Sequence, residues 1–387
     1  MSKNSAEFET DVSPNNSNPR KLGELVKKFV NGGTPSTMNK DYWTGNIPWV
    51  TGADIVNQRV GNVRRFITNE AVKDSSTNII RKGNLLVVSR TGVGKLAIAP
   101  FDLAISQDLT GVFTDESVLI PEYLFRYFDF NQKVLYSQNQ GTSIQGITRE
   151  TLSETRIPVP SVHEQTAIAT ALSDADSLIE NLEKLIAKKR DIKKGVMQEL
   201  LTGRKRLAGF NGKWKDIKLS DIAEVRKGQL ITEKTALAGN IPVIGGGVAP
   251  SYYHNQYNRE ANTITISASG ANAGFIAFHK NPIFASDCST IEDKSSYDIR
   301  FIYYSLQLSQ SKIFKLQTGG AQPHVYPEQL KVFKLLFPET KAEQTAIANI
   351  ISDLDFEIMA LGEKLYKYKM IKQGMMQVLL TGKIRIL

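Results

Sequence analysis

A chain of 387 residues, 41% hydrophobic with a mean hydropathy of −0.24, describes an ordinary globular protein of two or three domains. No apolar run nears the roughly 20 residues that span a bilayer, and the N-terminus lacks a signal-peptide core. The single cysteine, Cys288, excludes an internal disulfide, and four scattered histidines leave no zinc-ligand spacing, so a cytoplasmic protein is expected. Lys and Arg number 48 against 39 Asp and Glu, a net charge of +9 that suits a partner rich in phosphate.

Up to about Pro19 the chain is rich in Ser, Asn, Asp and Glu and reads as a disordered tail. From Lys21, KLGELVKKFVNGGTPST predicts a short helix giving way to a Gly-Gly-Thr-Pro turn. YWTGNIPWVTGADI follows, with two tryptophans and an extended Ile-Pro-Trp-Val stretch. Residues 84–113 alternate short apolar runs with turns, the pattern of strands. Residues 121–136, PEYLFRYFDFNQKVLY, predict a helix with Pro in its first turn. The polar loop QNQGTSIQGIT then leads through TRIPVP to a long periodic stretch.

That stretch occurs twice. SVHEQTAIATALSDAD begins one copy, which closes on LLTGRKR; TKAEQTAIANIISDLD begins the other, which closes on LLTGKIR. Glu164 maps to Glu343 and Gly203 to Gly382 at one constant offset, and roughly half the aligned positions are identical, so this is an internal repeat. Ser161-x-x-Glu164 and Thr340-x-x-Glu343 fit capping boxes, in which the Glu side chain reaches back to the cap. Pro160 and Pro338 forbid helix upstream, and Gly203 and Gly382 stand where a left-handed residue closes a helix. About 38 residues between these signals give helices on the order of 57 Å long.

In one copy the apolar series is Ile168, Leu172, Ala175, Ile179, Leu182 and Ile186. In the other it is Ile347, Ile351, Leu354, Ile358, Leu361 and Leu365, with the same alternating steps of four and three. This is the 3.5-residue period of a coiled-coil seam. Lys189 interrupts it where the second copy has Tyr368, and a shifted stripe follows, Ile192, Val196 and Leu200 against Ile371, Met375 and Leu379. Matched registers favour two helices paired antiparallel; the alternative is two amphipathic helices, each buried on its own domain.

After the basic connector RKRLAGFNGKW, a second segment repeats the plan of the first at lower identity. Asn240-Ile241-Pro242 echoes Asn46-Ile47-Pro48, TITISASGANAGFIAF echoes LLVVSRTGVGKLAIA, and TGGAQPHVYPEQL echoes QGTSIQGITRETL. The order is globule, helix, globule, helix. The helices are alike and the globules diverged, so the globules read different things while the helices share one task.

Catalytic motifs fail. The stretch Thr91-Gly92-Val93-Gly94-Lys95-Leu96 approaches a phosphate loop but has Ser89 where a Gly belongs and Leu96 where Ser or Thr belongs, so a strand-to-strand turn is the reading. Asn281-Pro282-Ile283-Phe284 approaches an amino-methyltransferase box without its second Pro and without a cofactor loop, and reads as a turn entering a strand. The polar turns carry more. Ser89, Arg90, Thr91 and Lys95 match Ser267, Ser269 and Asn272, and Ser143 and Gln145 match Gln322 and His324. Arg, Asn, Gln and Ser reach base edges and Lys serves phosphates, so these eleven are DNA-contact candidates; the plain alternative for each is a solvated turn residue.

The two EQTAIA helices ending in LLTG, the GGTPST and YWTGNIPW opening, and the globule–helix order resemble the specificity (S) subunit of type I restriction–modification systems over nearly the whole chain from Lys21. The resemblance implies an α+β protein with a pseudo-two-fold repeat: two mixed α/β target recognition domains separated by two long helices forming an antiparallel coiled coil. Its segments are a tail at 1–20, recognition domains at 21–159 and 218–338, helices at 160–203 and 339–387, and a connector at 204–217. Each globule would bind one half of a bipartite double-stranded DNA target, with the helices as spacer. Two methyltransferase (M) and two restriction (R) subunits would bring S-adenosylmethionine, ATP and Mg, leaving this chain no cofactor, metal or catalysis of its own. The second globule lacks the Gly-Gly-Thr-Pro and Trp-rich opening, so its contacts do not follow from the first. Readings of another class are a stand-alone DNA-binding regulator and a protein scaffold.

Overall fold

The structure is a computed structural model that describes residues 19–90, 92–137, 146–294 and 296–386. Its contacts divide the chain into two compact units, Met1–Leu182 with Lys364–Leu387, and Glu183–Glu363.

The strands of the first unit's two larger sheets are β1 (Val26–Asn31), β2 (Ile47–Val50), β3 (Arg65–Ile67), β4 (Asn78–Ile80), β5 (Leu85–Val88), β6 (Leu96–Ile98), β7 (Leu103–Ile105) and β8 (Leu109–Thr114). They form an antiparallel sheet in the order β1-β8-β5-β6 and a mixed sheet β3-β2-β7-β4, in which β2 and β7 run parallel. The second unit has β9 (Ala223–Lys227), β10 (Ile241–Ile244), β11 (Tyr252–His254), β12 (Thr263–Ser267), β13 (Ile276–His279), β14 (Phe284–Ala285) and β15 (Cys288–Asp293). Its two larger sheets, β9-β15-β12-β13 and β11-β10-β14, repeat the first unit's orders, and among the described residues the counterpart of β4 is missing.

Two local expectations fail. KLGELVKKFV holds a single 3-10 turn at Leu22–Glu24 and then strand β1, because Val26–Asn31 pairs with β8 and tertiary pairing overrides a weak helical preference. Residues 121–136 break at Asn131 into α1 (Pro121–Phe130) and a short helix, Gln132–Ser137.

The repeat folds into α2 (Val162–Leu200) and, after α3 (Ile299–Leu308), α4 (Lys341–Leu379), each 39 residues long. Gly203 and Gly382 take φ of +68° and +69°, the left-handed turn that stops a helix. In the first unit Asp176 of α2 pairs with Lys372 of α4, and Glu164 with Arg385 beyond α4. Partner numbers fall as α2 numbers rise, which is antiparallel pairing. The second unit pairs Lys189 with Glu357, Lys193 with Asp355 and Arg206 with Glu343 in the same sense. Of the seam residues, Ile168, Leu172, Leu182, Ile186, Ile347 and Ile351 are buried, and Ile179, Leu354, Ile358, Leu361 and Leu365 are half-buried. The seam ends also serve the globules: Ile168 and Leu172 join the core of the first, Ile347 and Ile351 that of the second. The shifted stripe does not hold at its start, since Ile192 and Ile371 are exposed.

These contacts repeat with the sequence. Glu164 and Glu343 are buried and clamped by Arg385 and Arg206, the last Arg of each TGxxR tail. The capping boxes are thus half formed. Ser161 and Thr340 hydroxyls accept from the Glu164 and Glu343 backbones, while the Glu side chains turn to the arginines, a stronger charge-assisted partner than a backbone amide. Gln165 and Gln344, both fully buried, accept from the amides of Ile120 and Asp298, the cap residues of α1 and α3. Asp176 receives Lys372 and Arg126 from the sixth position after one cap; Asp355 receives Lys193 and the Tyr304 hydroxyl from the sixth position after the other. Burial pushes the Asp176 carboxyl up, but Lys372 and Arg126 outweigh it and hold it below the usual carboxylate range.

Candidate nucleic-acid interface

The strand register gathers the polar turns at one end of each globule. In the first, Asn31 at the end of β1 pairs with Thr110, and Val88 at the end of β5 pairs with Leu109. The parallel strands β2 and β7 finish at the same end, where the Ser106 amide donates to the Val50 carbonyl. The described residues of loops 32–39, 51–54, 89–95 and 106–108 therefore converge. At the other end of this sheet Val26 pairs with Thr114, from which the chain passes to α1 and α2.

The second globule builds the same end by the same register. Lys227 of β9 pairs with Ser289, Ser267 of β12 with Cys288, and the Ser286 amide donates to Ile244. Gly228 takes the place of Gly32: a Cβ on either would stand 2.1 or 2.2 Å from the carbonyl oxygen of Ser286 or Ser106. The close approach requires glycine in both globules, although only the first has the Gly-Gly-Thr-Pro opening.

Six of the eight described candidates lie on this end with some exposure, and two are interior. Ser89 is buried: its hydroxyl accepts from Thr110 and donates to the Asp108 carbonyl, so it holds the turn rather than facing outward. Ser267 is buried likewise and donates to Gly246. Arg90 and Lys95 are exposed, and Lys95 Nζ is 3.4 Å from the Gly52 carbonyl. Ser269 is half-buried with its hydroxyl on Asp287, while Asn272 and Gln322 are exposed. His324 is half-buried, stacked on Tyr326 at 5.9 Å between centroids. Thr91, Ser143 and Gln145 lie outside the described residues.

The described residues that follow each second loop meet the first turn of their globule. Ile147 donates its amide to the Ser89 carbonyl at 2.8 Å in the first globule, and Val325 to the Ala268 carbonyl at 3.0 Å in the second. The turn at 89–95 joins two antiparallel strands, β5 and β6, and leads into no helix; this is not the geometry of a phosphate loop. Asn281-Pro282-Ile283-Phe284 enters strand β14.

In the first globule the loop end encloses a cleft of about 590 Å³ lined by Thr34, Trp49, Gly52, Arg65, Lys95 and Gln107 among others. Asp54 organises one wall, accepting from the Thr51 amide and hydroxyl and from Nε and Nη2 of Arg64 at 3.1 and 2.8 Å. Burial raises its carboxyl, but Thr51 and Arg64 together hold it below the usual range. Trp49, 2% exposed, donates its indole N–H to Gly33 and packs edge-on against Trp43; the Arg65 guanidinium lies 4.4 Å over its ring. Residue-type reasoning missed Arg65 because its place depends on the pairing of Trp49 with Arg65 across β2 and β3. The aromatic-basic composition of IPWV and RRF was the available signal.

The arrangement is a basic and polar loop surface on a duplicated frame, with no grouping of acid, base and nucleophile at its described residues. A family model described as type I restriction modification DNA specificity domain matches residues 14–188 and 211–367, most of the chain in two copies. The type I restriction enzyme MjaIX specificity subunit of Methanocaldococcus jannaschii is 36% identical over 183 residues, 46% of this chain and 42% of that protein. The chain thus aligns with less than half of that relative. The MjaVIII specificity subunit of the same organism is 23% identical over 403 residues, covering 95% of this chain and 92% of that one. The fold matches the crystal structure of a type I restriction-modification S subunit from M. genitalium, with a TM-score of 0.69 at 19% identity over 96% of this chain and 97% of that one. The chain belongs to the type I restriction–modification DNA specificity family.

Proposed function

We propose that this chain is the DNA-reading, non-catalytic subunit of a type I restriction–modification complex. Each globule reads one half of a bipartite duplex target, and the helix pair fixes the spacing between the halves. The observation that carries the reading is the duplicated loop end: one strand register and one glycine contact, dressed with different side chains. Two methyltransferase subunits docked on the chain would methylate adenine with S-adenosylmethionine, and two restriction subunits would add ATP- and Mg-dependent translocation and cleavage, in the cytoplasm where the DNA lies. The basic balance of the chain supplies phosphate attraction, and the loop residues supply discrimination.

Removing one heptad from both α2 and α4 at matched positions tests the spacer. Seven residues are about 10 Å of helix, or about three base pairs. Selection of duplexes from a randomised library should return the same two half-sites with a shorter gap. An unchanged gap refutes the spacer. Tight specific binding by the isolated chain, indifferent to the methyltransferase, would instead favour a stand-alone regulator.

A further inference from the structure

We infer that Arg65, held over the ring of Trp49, reads a guanine in the half-site of the first globule. The inference rests on the DNA-reading function proposed above and names a specificity-determining residue for it. Two adjacent arginines begin this segment, and they are used differently. Arg64 gives Nε and Nη2 to Asp54 and braces the loop. Arg65 is exposed, and among the described residues it has no carboxylate or hydrogen-bond partner; its contact is the Trp49 ring at 4.4 Å.

Contact with the ring face holds the guanidinium in place while leaving its N–H groups without a protein acceptor among the described residues. That suits the fork geometry that donates to O6 and N7 of guanine, the commonest specific contact in the major groove. Trp49 is itself immobilised by its bond to Gly33 and by Trp43, so the platform is rigid before DNA arrives. Lys95 lines the same cleft as a compact charge on a flexible stem, the type of group that serves a phosphate.

The second globule provides the internal contrast. Trp49 pairs with Arg65 across β2 and β3; at the same register Val243 pairs with Tyr252 across β10 and β11. Tyr252 has no guanidinium, and its hydroxyl donates to the Ile231 carbonyl. One register position thus carries a ring-held guanidinium able to donate as a fork in one globule and a tied phenol in the other. The two half-sites should differ there.

The test is selection from a randomised duplex library by the full-length chain with its methyltransferase subunits, for wild type, Arg65→Ala, Arg65→Lys and Lys95→Ala. The expected result is a wild-type bipartite motif in which Arg65→Ala lowers preference for one guanine by about tenfold and leaves the other half-site untouched. Arg65→Lys should restore affinity without restoring that preference, since an ammonium cannot donate as a planar fork. Lys95→Ala should weaken binding evenly and lower the salt slope by about 0.9. The retained second half-site reports that each variant is folded. A motif unchanged in Arg65→Ala, or one weakened evenly at every position, overturns the guanine assignment. A wild-type chain that selects no bipartite motif overturns the DNA-reading function itself.

Discussion

Arg206→Ala should destabilise the second unit by about 2–4 kcal/mol, because it strands a buried carboxylate. Glu343 is 1% exposed and accepts from Arg206 Nε at 2.7 Å, Arg206 Nη2 at 2.9 Å and Trp214 Nε1 at 3.3 Å. Arg206 also donates Nη1 to Gly212 and lies over the Trp214 ring. Loss of a charge-assisted bond to a buried group costs about 1.5–3 kcal/mol, and two are lost together. The Arg206 side chain is 29% exposed, so water fills part of the space it leaves, and the total stays below a simple doubling. Glu343→Ala alone should cost less, since Arg206 keeps Gly212 and gains water. The double-mutant cycle, read by chemical denaturation of the full chain, should give a coupling of about 2 kcal/mol. The equivalent pair, Glu164 with Arg385, should couple more weakly, because Arg385 is 47% exposed. Additive single mutants, with coupling below about 0.5 kcal/mol, or the opposite ranking of the two pairs, would refute the claim that these clamps lock the helices.

The glutamines next to the clamps are equally exposed to test. Gln165→Leu keeps volume but leaves the Ile120 amide and the Val118 and Pro160 carbonyls without their partner, at a cost of about 3 kcal/mol. Gln344→Leu strands two such groups and should lower the thermal midpoint by less; equal shifts would contradict the count. Acid should act through Asp298. Burial raises its carboxyl, but Arg300 and Thr345 outweigh burial and hold it below the usual range. A depressed folded value stabilises above the unfolded value of about 3.9 and is lost as pH falls toward the folded one. Denaturation midpoints should therefore drop below about pH 4, and Asp298→Asn should flatten that drop.

The long helices were legible because their signals are local and periodic: a Pro and a hydroxyl at the start, a seam every three or four residues, a Gly at the end. The Glu of each capping box was misread for the same reason. A local rule sends Glu164 back to Ser161, whereas its partner, Arg385, lies 221 residues along the chain. The repeated Arg of TGRKR and TGKIR was the visible trace of that contact. Ser89 and Ser267 were nominated by residue type, which says nothing of depth. Each directly follows a run of buried strand residues, Leu85–Val88 and Thr263–Ile266, and continues it inward. Helix α3 drew no expectation at all, although Asp298 caps it through the amides of Arg300 and Phe301. Arg65 was passed over, because the aromatic-basic composition around it hints at a site while register sets its place on Trp49.

Comparison of the two units separates framework from information by a physical criterion. Glu, Gln and Arg recur at the helix clamps because the Glu carboxylate accepts from the Arg guanidinium and the Gln amide satisfies buried backbone groups. The aspartates Asp176 and Asp355 tolerate one change, Arg126 in one unit and Tyr304 in the other, since either donor satisfies a carboxylate already held by a lysine. At the loop ends the glycine that meets a carbonyl is kept, while Trp49 becomes Val243 and Arg65 becomes Tyr252 across an unchanged pairing. A side chain that faces outward from a preserved strand answers to what it touches outside the protein. Arg65 faces outward and Tyr252 in its place does not, a difference at an exposed position of the kind that two readers of unlike sequences on one frame would require.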